Sequence, residues 1–113
     1  MKLTTTHEGD IAVVRVDERR LMYPLLSDFS ETITRLIAGG ERKLLIDLAP
    51  VVYVDSATIG CLMDLYRQAL AAGGLLKLAG VQKRVETMLT MTGAQNFIEL
   101  YADRSSAVHS FGA

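Results

Sequence analysis

Residues 51–60 constrain the fold more than any other stretch of this sequence. The stretch opens, directly after Pro50, with an apolar and mostly β-branched run that is typical of a buried strand. The dipeptide Asp55-Ser56 ends this run, and the pattern of an amphipathic helix begins directly after it. A strand that passes straight into a helix is a building unit of α/β domains, so this junction predicts the fold class.

Ser56 occupies the position where the N-cap of that helix is expected. From there its hydroxyl can accept a hydrogen bond from a first-turn backbone N–H, because those donors have no partner inside the helix. The positive end of the helix also favours an anion at this place. The pattern therefore leaves three roles for Ser56: a plain cap, a nucleophile or a site of phosphate attachment.

The rest of the chain alternates strand and helix patterns around this junction. Strands are predicted over residues 2–6, 11–16, 43–48, 51–54, 75–79 and 96–100, with a charged loop over residues 17–22. One helix is predicted to begin near Pro24, a second to cover residues 57–72, and a third to stop at Gly93. Asp103 or Ser105 is expected to cap a fourth. Alternating strands and helices predict an α/β domain.

Apolar residues at three- and four-residue spacing predict which helix faces are buried. In the first helix they are Leu25, Leu26, Phe29, Ile33, Leu36 and Ile37. In the second they are Ile59, Leu62, Met63, Tyr66, Ala69 and Leu70, with Cys61 expected beside them as a small core residue. In the last helix they are Ala107, Val108 and Phe111.

Composition narrows the class of protein. A chain of 113 residues is the size of one domain, and 50% hydrophobic with 22% charged residues favours a compact fold. The net charge of −1, with no basic block, argues against nucleic acid as a partner. A single cysteine excludes an internal disulfide and favours a reducing compartment. The absence of a long apolar run or an apolar leader predicts a cytoplasmic protein without membrane insertion.

Motifs of catalysis are missing from the sequence. There is no Gly-x-Ser-x-Gly turn around Ser56 and no glycine-rich phosphate loop. The two histidines, His7 and His109, stand near opposite ends of the chain and outside any Cys/His cluster. We therefore expect neither an enzyme nor a metal or cofactor site.

Two segments resemble the STAS family, the domain shared by sulphate transporters and bacterial anti-sigma factor antagonists. Residues 54–60, Val-Asp-Ser-Ala-Thr-Ile-Gly, are similar to the family's Asp-Ser-Ser/Thr-Gly-Leu-Gly motif. Thr92-Gly93, followed by Phe97 and Ala107, resembles the family's closing segment. The resemblance implies one STAS domain over residues 1–113. It also implies a mixed sheet of four to five strands packed against about four helices.

The resemblance also implies a function. In the family, the serine after the aspartate is phosphorylated by an anti-sigma factor that is a serine kinase, and the unphosphorylated domain binds that partner. Ser56 is then the phosphorylation site, and Thr58 is the fallback hydroxyl. The partner-binding residues implied are Asp17, Arg19, Arg20, Tyr23, Asp55, Ser56, Thr58 and Ile59. The chain departs from the motif at Ala57 and Thr58, which replace a hydroxyl residue and a glycine.

Other readings stay open at this point. Ser56 can be an ordinary cap, and Arg19 and Arg20 can belong to a solvated loop. Some STAS domains are accessory subunits of ABC-type lipid transport complexes, and others are components of larger STAS signalling assemblies. Both alternatives work without phosphorylation. A weak homodimer is a further possibility.

Overall fold

A computed structural model describes residues 1–112 of the chain. The strands of that part are β1 (Leu3–Glu8), β2 (Ile11–Val16), β3 (Arg20–Leu21), β4 (Lys43–Asp47), β5 (Tyr53–Val54), β6 (Leu75–Ala79) and β7 (Leu100–Tyr101). The helices are α1 (Leu26–Ala38), α2 (Ser56–Ala71), α3 (Lys83–Thr92) and α4 (Arg104–Ser110), and short 3-10 turns cover Tyr23–Leu25 and Ala94–Asn96.

Five strands form one mixed sheet in the order β1-β2-β4-β6-β7. β1 runs antiparallel to β2, and all other neighbours are parallel. A tight turn at Gly9 and Asp10 makes the antiparallel hairpin possible, because Gly9 takes a φ of 63° that other residues avoid. Helices make the parallel crossovers. The expected α/β class, with a mixed sheet of up to five strands and four helices, is confirmed.

The two faces of the sheet carry cores of different size. The larger core lies beneath α1, α2 and α3 and includes Val14 and Ile46. The smaller core includes Val13 and Leu45, and α4 covers it through Ala107 and Phe111. Successive side chains of a strand point to opposite faces, so each central strand contributes to both cores. The central strands are therefore buried almost completely, as their apolar sequences predict.

Polar contacts fasten α4 to the smaller face. The guanidinium of Arg104 donates to the buried carboxylate of Asp47 at 2.8 Å (Nη2) and 3.1 Å (Nε). The ammonium of Lys77, also buried, donates to the Ser110 carbonyl at 3.2 Å and lies 4.5 Å from the centre of the Phe111 ring. Both buried charges, on Asp47 and Lys77, have partners, and these interactions offset the free-energy cost of removing the charges from water. Asp103 caps α4, as one of the two predicted candidates.

Three predicted segments differ from the structure. Residues 51–54 do not join the main sheet; only Tyr53–Val54 is a strand, and it pairs with β3 in a separate two-stranded sheet. β3 itself lies within the predicted loop at residues 17–22. The predicted strand at 96–100 is shorter and later, because the Ala94–Asn96 turn precedes it and pairing begins at Leu100. Apolar content predicts that these segments are buried, but it does not predict which strand they pair with.

Helix faces are mostly as predicted, with one clear error in α2. Phe29 and Ile33 of α1 are fully buried, and so is Leu62 of α2. Leu70 was predicted to face inward but is 45% exposed, and Leu65 is buried instead. The buried stripe of α2 is therefore rotated slightly from the predicted one.

Candidate functional site

The candidate site is the N-terminus of α2, where the two-stranded β3–β5 sheet ends. Asp55 has an extended backbone (φ −100°, ψ 175°), and its side chain accepts a hydrogen bond from the N–H of Thr58 at 2.9 Å. Asp55 is therefore the N-cap, and Ser56 is the first residue of the helix. The prediction that Ser56 caps α2 was wrong, because the helix begins one residue earlier and the aspartate reaches the same donor.

The second carboxylate oxygen of Asp55 accepts a hydrogen bond from the N–H of Tyr23 at 3.0 Å. The hydroxyl of Thr58 lies 2.6 Å from the carbonyl of Leu21 and 2.6 Å from Asp55 Oδ1. These contacts join the segment before α1 to the start of α2. These two segments are distant in sequence, and the contacts hold them in a fixed arrangement relative to each other.

The same contacts favour the ionised form of Asp55. Partial burial alone would raise the pKa of this carboxyl, because it removes water from the charged form. Hydrogen bonds from the Thr58 hydroxyl, the Tyr23 N–H and the Thr58 N–H outweigh that effect and lower the pKa from its ordinary value. A full negative charge therefore stands next to Ser56 at neutral pH.

Ser56 itself is exposed, and no hydrogen bond to its hydroxyl is found within residues 1–112. Ala57 and Gly60, on the following turn, are exposed as well. The hydroxyl is thus open to a visiting molecule at the end of a regular helix. A serine nucleophile requires a hydrogen-bonded base. Within residues 1–112, no histidine or other base is hydrogen-bonded to the Ser56 hydroxyl.

Two of the expected site residues lie inside the protein. Thr58 is 0% exposed and Ile59 is 5% exposed. A kinase cannot reach the Thr58 hydroxyl in this structure, and neither side chain offers a contact surface. Thr58 is therefore not the fallback phosphorylation site, and neither residue belongs to the contact surface. Thr58 fixes the start of α2, and Ile59 packs in the larger core.

A groove runs beside Ser56 between α1 and α2. It encloses about 600 Å³ and is open to solvent on one side. Its lining residues are Tyr23, Pro24, Leu26, Ser27, Ser30, Ala57, Gly60, Cys61, Asp64 and Gln68. We call it the α1–α2 groove. Tyr23 belongs to this lining and is 74% exposed, which gives the groove a large aromatic side chain.

Cys61 forms part of that lining and is only half-buried, so the prediction of a small core residue is only partly right. Burial raises the pKa of its thiol, and the nearby Asp64 carboxylate acts in the same direction. The thiol is therefore mostly protonated at neutral pH and is a weak nucleophile.

The predicted charged loop is divided between two places. The carboxylate of Asp17 accepts hydrogen bonds from Thr4 Oγ1 at 2.6 Å and from Arg15 Nε at 2.9 Å, so it is engaged at the β1–β2 hairpin. Arg19 and Arg20 are exposed. The structure thus brings Tyr23, Asp55 and Ser56 together and holds Asp17 by other contacts.

Sequence reasoning missed a basic pocket beside β5, to which Arg84 of α3 contributes. Its guanidinium lies 5.5 Å from the centre of the Tyr53 ring. Arg20, Val52, Tyr53 and Arg84 line a pocket of about 240 Å³ that contains no carboxylate. Neither arginine forms an ion pair within residues 1–112, so the pocket is positively charged. Only the tertiary structure reveals the pocket, because Arg20 and Arg84 lie on distant segments of the chain.

Two other features are absent from residues 1–112, a metal site and a membrane-spanning helix. No cluster of three or more metal-ligating side chains is present among them. In the same part of the chain, no helix is long and apolar enough to cross a membrane.

Comparison with known proteins gives the family. The profile of the STAS domain matches residues 2–107, nearly the whole chain. A Thermotoga neapolitana protein, named as a candidate anti-sigma factor antagonist, is 28% identical over 69 residues. The match covers 61% of this chain and 61% of that protein, so it spans about three fifths of the relative's length.

Solved structures show the same fold. An anti-sigma factor antagonist (STAS) domain protein from Planctomyces limnophilus superposes with a TM-score of 0.89 at 22% identity, over 98% of both chains. The antagonist SpoIIAA superposes in its unphosphorylated form with a TM-score of 0.82 at 16% identity, over 99% of this chain and 98% of SpoIIAA. Its phosphorylated form, from Bacillus, gives 0.74 at 14% identity, over 97% and 99%. With the family profile matched over almost its full length, this chain belongs to the STAS domain family.

Proposed function

We propose that this protein is a regulatory binding module of the anti-sigma factor antagonist type. It binds an anti-sigma factor that is also a serine kinase, and phosphorylation of Ser56 releases that partner. The observation that carries the proposal is the exposed hydroxyl of Ser56, unbonded within residues 1–112, beside the open α1–α2 groove. On this account the protein has no catalytic activity of its own and works in the cytoplasm.

A phosphate on Ser56 would be strongly unfavourable inside a contact. Phosphorylation adds about −1.5 to −2 charges. A helix N-terminus ordinarily attracts such a charge, but the Asp55 carboxylate already occupies the first-turn N–H of Thr58 and is itself ionised. The phosphate therefore meets a negative neighbour at a helix end that is already capped.

The size of the effect is enough for a switch. An uncompensated charge buried in an interface costs roughly 3–5 kcal/mol. At about 1.4 kcal/mol per tenfold change, partner affinity falls by about two to four orders of magnitude. No change of fold is needed, because the charge acts at the contact itself.

The proposed contact surface consists of Ser56, the rim of the α1–α2 groove at Tyr23, and the loop arginines Arg19 and Arg20. Exposed aromatic and arginine side chains are frequent energetic centres of protein interfaces. The Asp55 and Thr58 hydrogen bonds hold the Tyr23 side of this surface against the Ser56 side. A surface held in place before binding loses less conformational freedom when the partner docks.

A pull-down from cells of the source organism tests the proposal. Wild type and Ser56→Ala should both capture an anti-sigma factor with a kinase domain, while Ser56→Asp should lose it. Ser105→Asp is the matched control, because Ser105 is an exposed serine in the first turn of another helix, α4. Capture that is insensitive to Ser56→Asp, with an ABC ATPase or other STAS proteins as the captured species, would favour the accessory-subunit or assembly role.

A further inference from the structure

β1 is an edge strand of the main sheet, paired only with β2. The carbonyl of Lys2 accepts a hydrogen bond from the N–H of Asp17 at 2.9 Å, so Lys2 faces β2. Residues of an antiparallel strand alternate in the direction of their backbone groups, so Thr4, Thr6 and Glu8 also face β2. Leu3, Thr5 and His7 must therefore direct their N–H and C=O groups outward.

This edge lacks the usual protection against pairing. Its register with β2 is continuous from Leu3 to Glu8, without a bulge, and the strand contains no proline. The residues from Thr4 to Glu8 are all exposed. Its centre is three consecutive threonines, a β-branched residue favoured in strands. Natural edge strands usually carry a central charge, a proline or a bulge to prevent pairing with another strand.

We propose that the outer edge of β1 is a self-association site, where a second copy of this chain adds its own β1 in the antiparallel direction. The dyad passes through Thr5, so that Thr5 faces Thr5 of the second copy and Leu3 faces His7. The backbone N–H and C=O groups of Leu3, Thr5 and His7 point outward, so each of these opposed pairs can exchange two N–H···O=C bonds. The two main sheets then form one continuous sheet.

The side chains are self-complementary in this register. Lys2 of one copy lies opposite Glu8 of the other, and this happens twice because of the dyad. Thr4 lies opposite Thr6, and no like charges face one another. Opposite charges and threonine pairs directly across an antiparallel ladder both stabilise it. A dyad at Leu3, Thr4, Thr6 or His7 would also place outward groups opposite one another, but each of these registers shortens the overlap and removes the Lys2–Glu8 pairs.

The surroundings leave this pairing possible. The Lys2 ammonium forms no ion pair within residues 1–112, while the Glu8 carboxylate has only a distant one, 3.8 Å from Arg104. His7 is hydrogen-bonded to Glu41 at 2.6 Å through its ring, which leaves its backbone available. No residue from Leu3 to Glu8 lines the α1–α2 groove, so this association does not rest on the proposed function.

A single pair of short strands buries much less surface than the roughly 1,200 Å² of a stable interface, so the dimer is weak. Sedimentation equilibrium of the wild-type protein should show a fraction of dimer that increases with protein concentration between about 50 µM and 1 mM. A monomer over that whole range would overturn the proposal.

Thr5→Pro tests the backbone pairing. Proline removes the outward N–H of Thr5 and spares the bonds to β2, and prolines are tolerated on strand edges. Thr5→Pro should therefore be monomeric at 1 mM with a wild-type circular dichroism spectrum, while the control Thr5→Val keeps the dimer. A folded Thr5→Pro that still dimerises would contradict the proposal.

Reversing the charge at residue 2 or at residue 8 tests the register between the two β1 strands, and this test does not depend on how the strand tolerates proline. Lys2→Glu places like charges opposite one another twice, and so does Glu8→Lys; each should weaken self-association about tenfold or more. An equimolar mixture of the two variants restores opposite charges in both pairs and should associate at least as well as wild type. A mixture that associates no better than either variant alone would refute the register.

Discussion

The carboxylate of Asp55 accepts a hydrogen bond from the backbone N–H of Tyr23 at 3.0 Å, across 32 positions of the chain. The same side chain caps α2 at Thr58. One aspartate thus positions both the serine that we propose as the switch and the exposed aromatic residue beside it. The aspartate therefore has a structural role, and the hydroxyl of the serine remains available for modification.

The first prediction compares these two neighbours. Asp55→Ala removes the cap of α2 and the bond to Tyr23, and should lower the free energy of unfolding by about 1–3 kcal/mol. Ser56→Ala removes an exposed hydroxyl that makes no hydrogen bond within residues 1–112, and should change it by less than about 0.5 kcal/mol. Urea denaturation of the two variants measures both values. Equal costs would mean that Ser56, after all, caps the helix.

The second prediction concerns pH. The pKa of Asp55 is lower in the folded protein than its ordinary value of 3.8, so its charged form stabilises the fold. That contribution is fully present above pH 3.8 and is lost as the pH falls through the lower, folded pKa. The stability difference between wild type and Asp55→Asn should therefore shrink in acid. Because Asp10, Asp17 and Asp103 also have lowered pKa values, only the difference between the two proteins isolates Asp55.

The third prediction concerns Thr58, which sequence reasoning treated as a possible phosphate acceptor. Thr58→Val keeps the shape but removes the one hydroxyl that the Leu21 carbonyl and Asp55 Oδ1 share as a donor, which costs about 1–3 kcal/mol. It should also speed hydrogen exchange at the Tyr23 amide, because the segment before α1 loses one of its ties to α2. Thr58→Ser retains the hydroxyl and should leave that exchange rate near wild type. Identical exchange in both variants would show that the tie is unimportant.

The fourth prediction uses two leucines of α2. Leu62 is fully buried, and Leu62→Ala should cost about 2–5 kcal/mol because it leaves a cavity beneath the helix. Leu70 is 45% exposed, and Leu70→Ala should cost less than about 1 kcal/mol. Thermal denaturation of the matched pair checks the observed orientation of α2. Similar large costs at both positions would instead support the face predicted from the sequence, which buries both leucines.

These comparisons show what the sequence could and could not predict. Alternating periodicities predicted the α/β class and most helix boundaries, because the spacing of apolar residues directly reflects the face each element buries. In α2 the apolar positions outnumber what one stripe can hold, so the pattern did not decide between Leu65 and Leu70. Adjacent Asp55 and Ser56 are both good caps, and the choice depended on where β5 ends.

The position of Ser56 was predicted better than that of its surroundings. Ser56 is exposed at the start of a helix, as its position after an apolar strand predicts. The burial of Thr58 was not predictable, because it follows from pairing between β3 and β5, which are distant in sequence. The pocket between Arg20 and Arg84 depends on the packing of α3 against β5 in the same way.

The most direct test of the proposed switch is phosphate transfer followed by binding. The kinase captured by wild type is incubated with ATP and this protein, the modified residue is mapped by mass spectrometry, and the affinities of both forms are measured by calorimetry. We expect one phosphate, on Ser56, none on Ser56→Ala, and affinity lower by about two to four orders of magnitude for the phosphorylated form. Phosphate on another residue, or equal affinity of the two forms, would contradict the account.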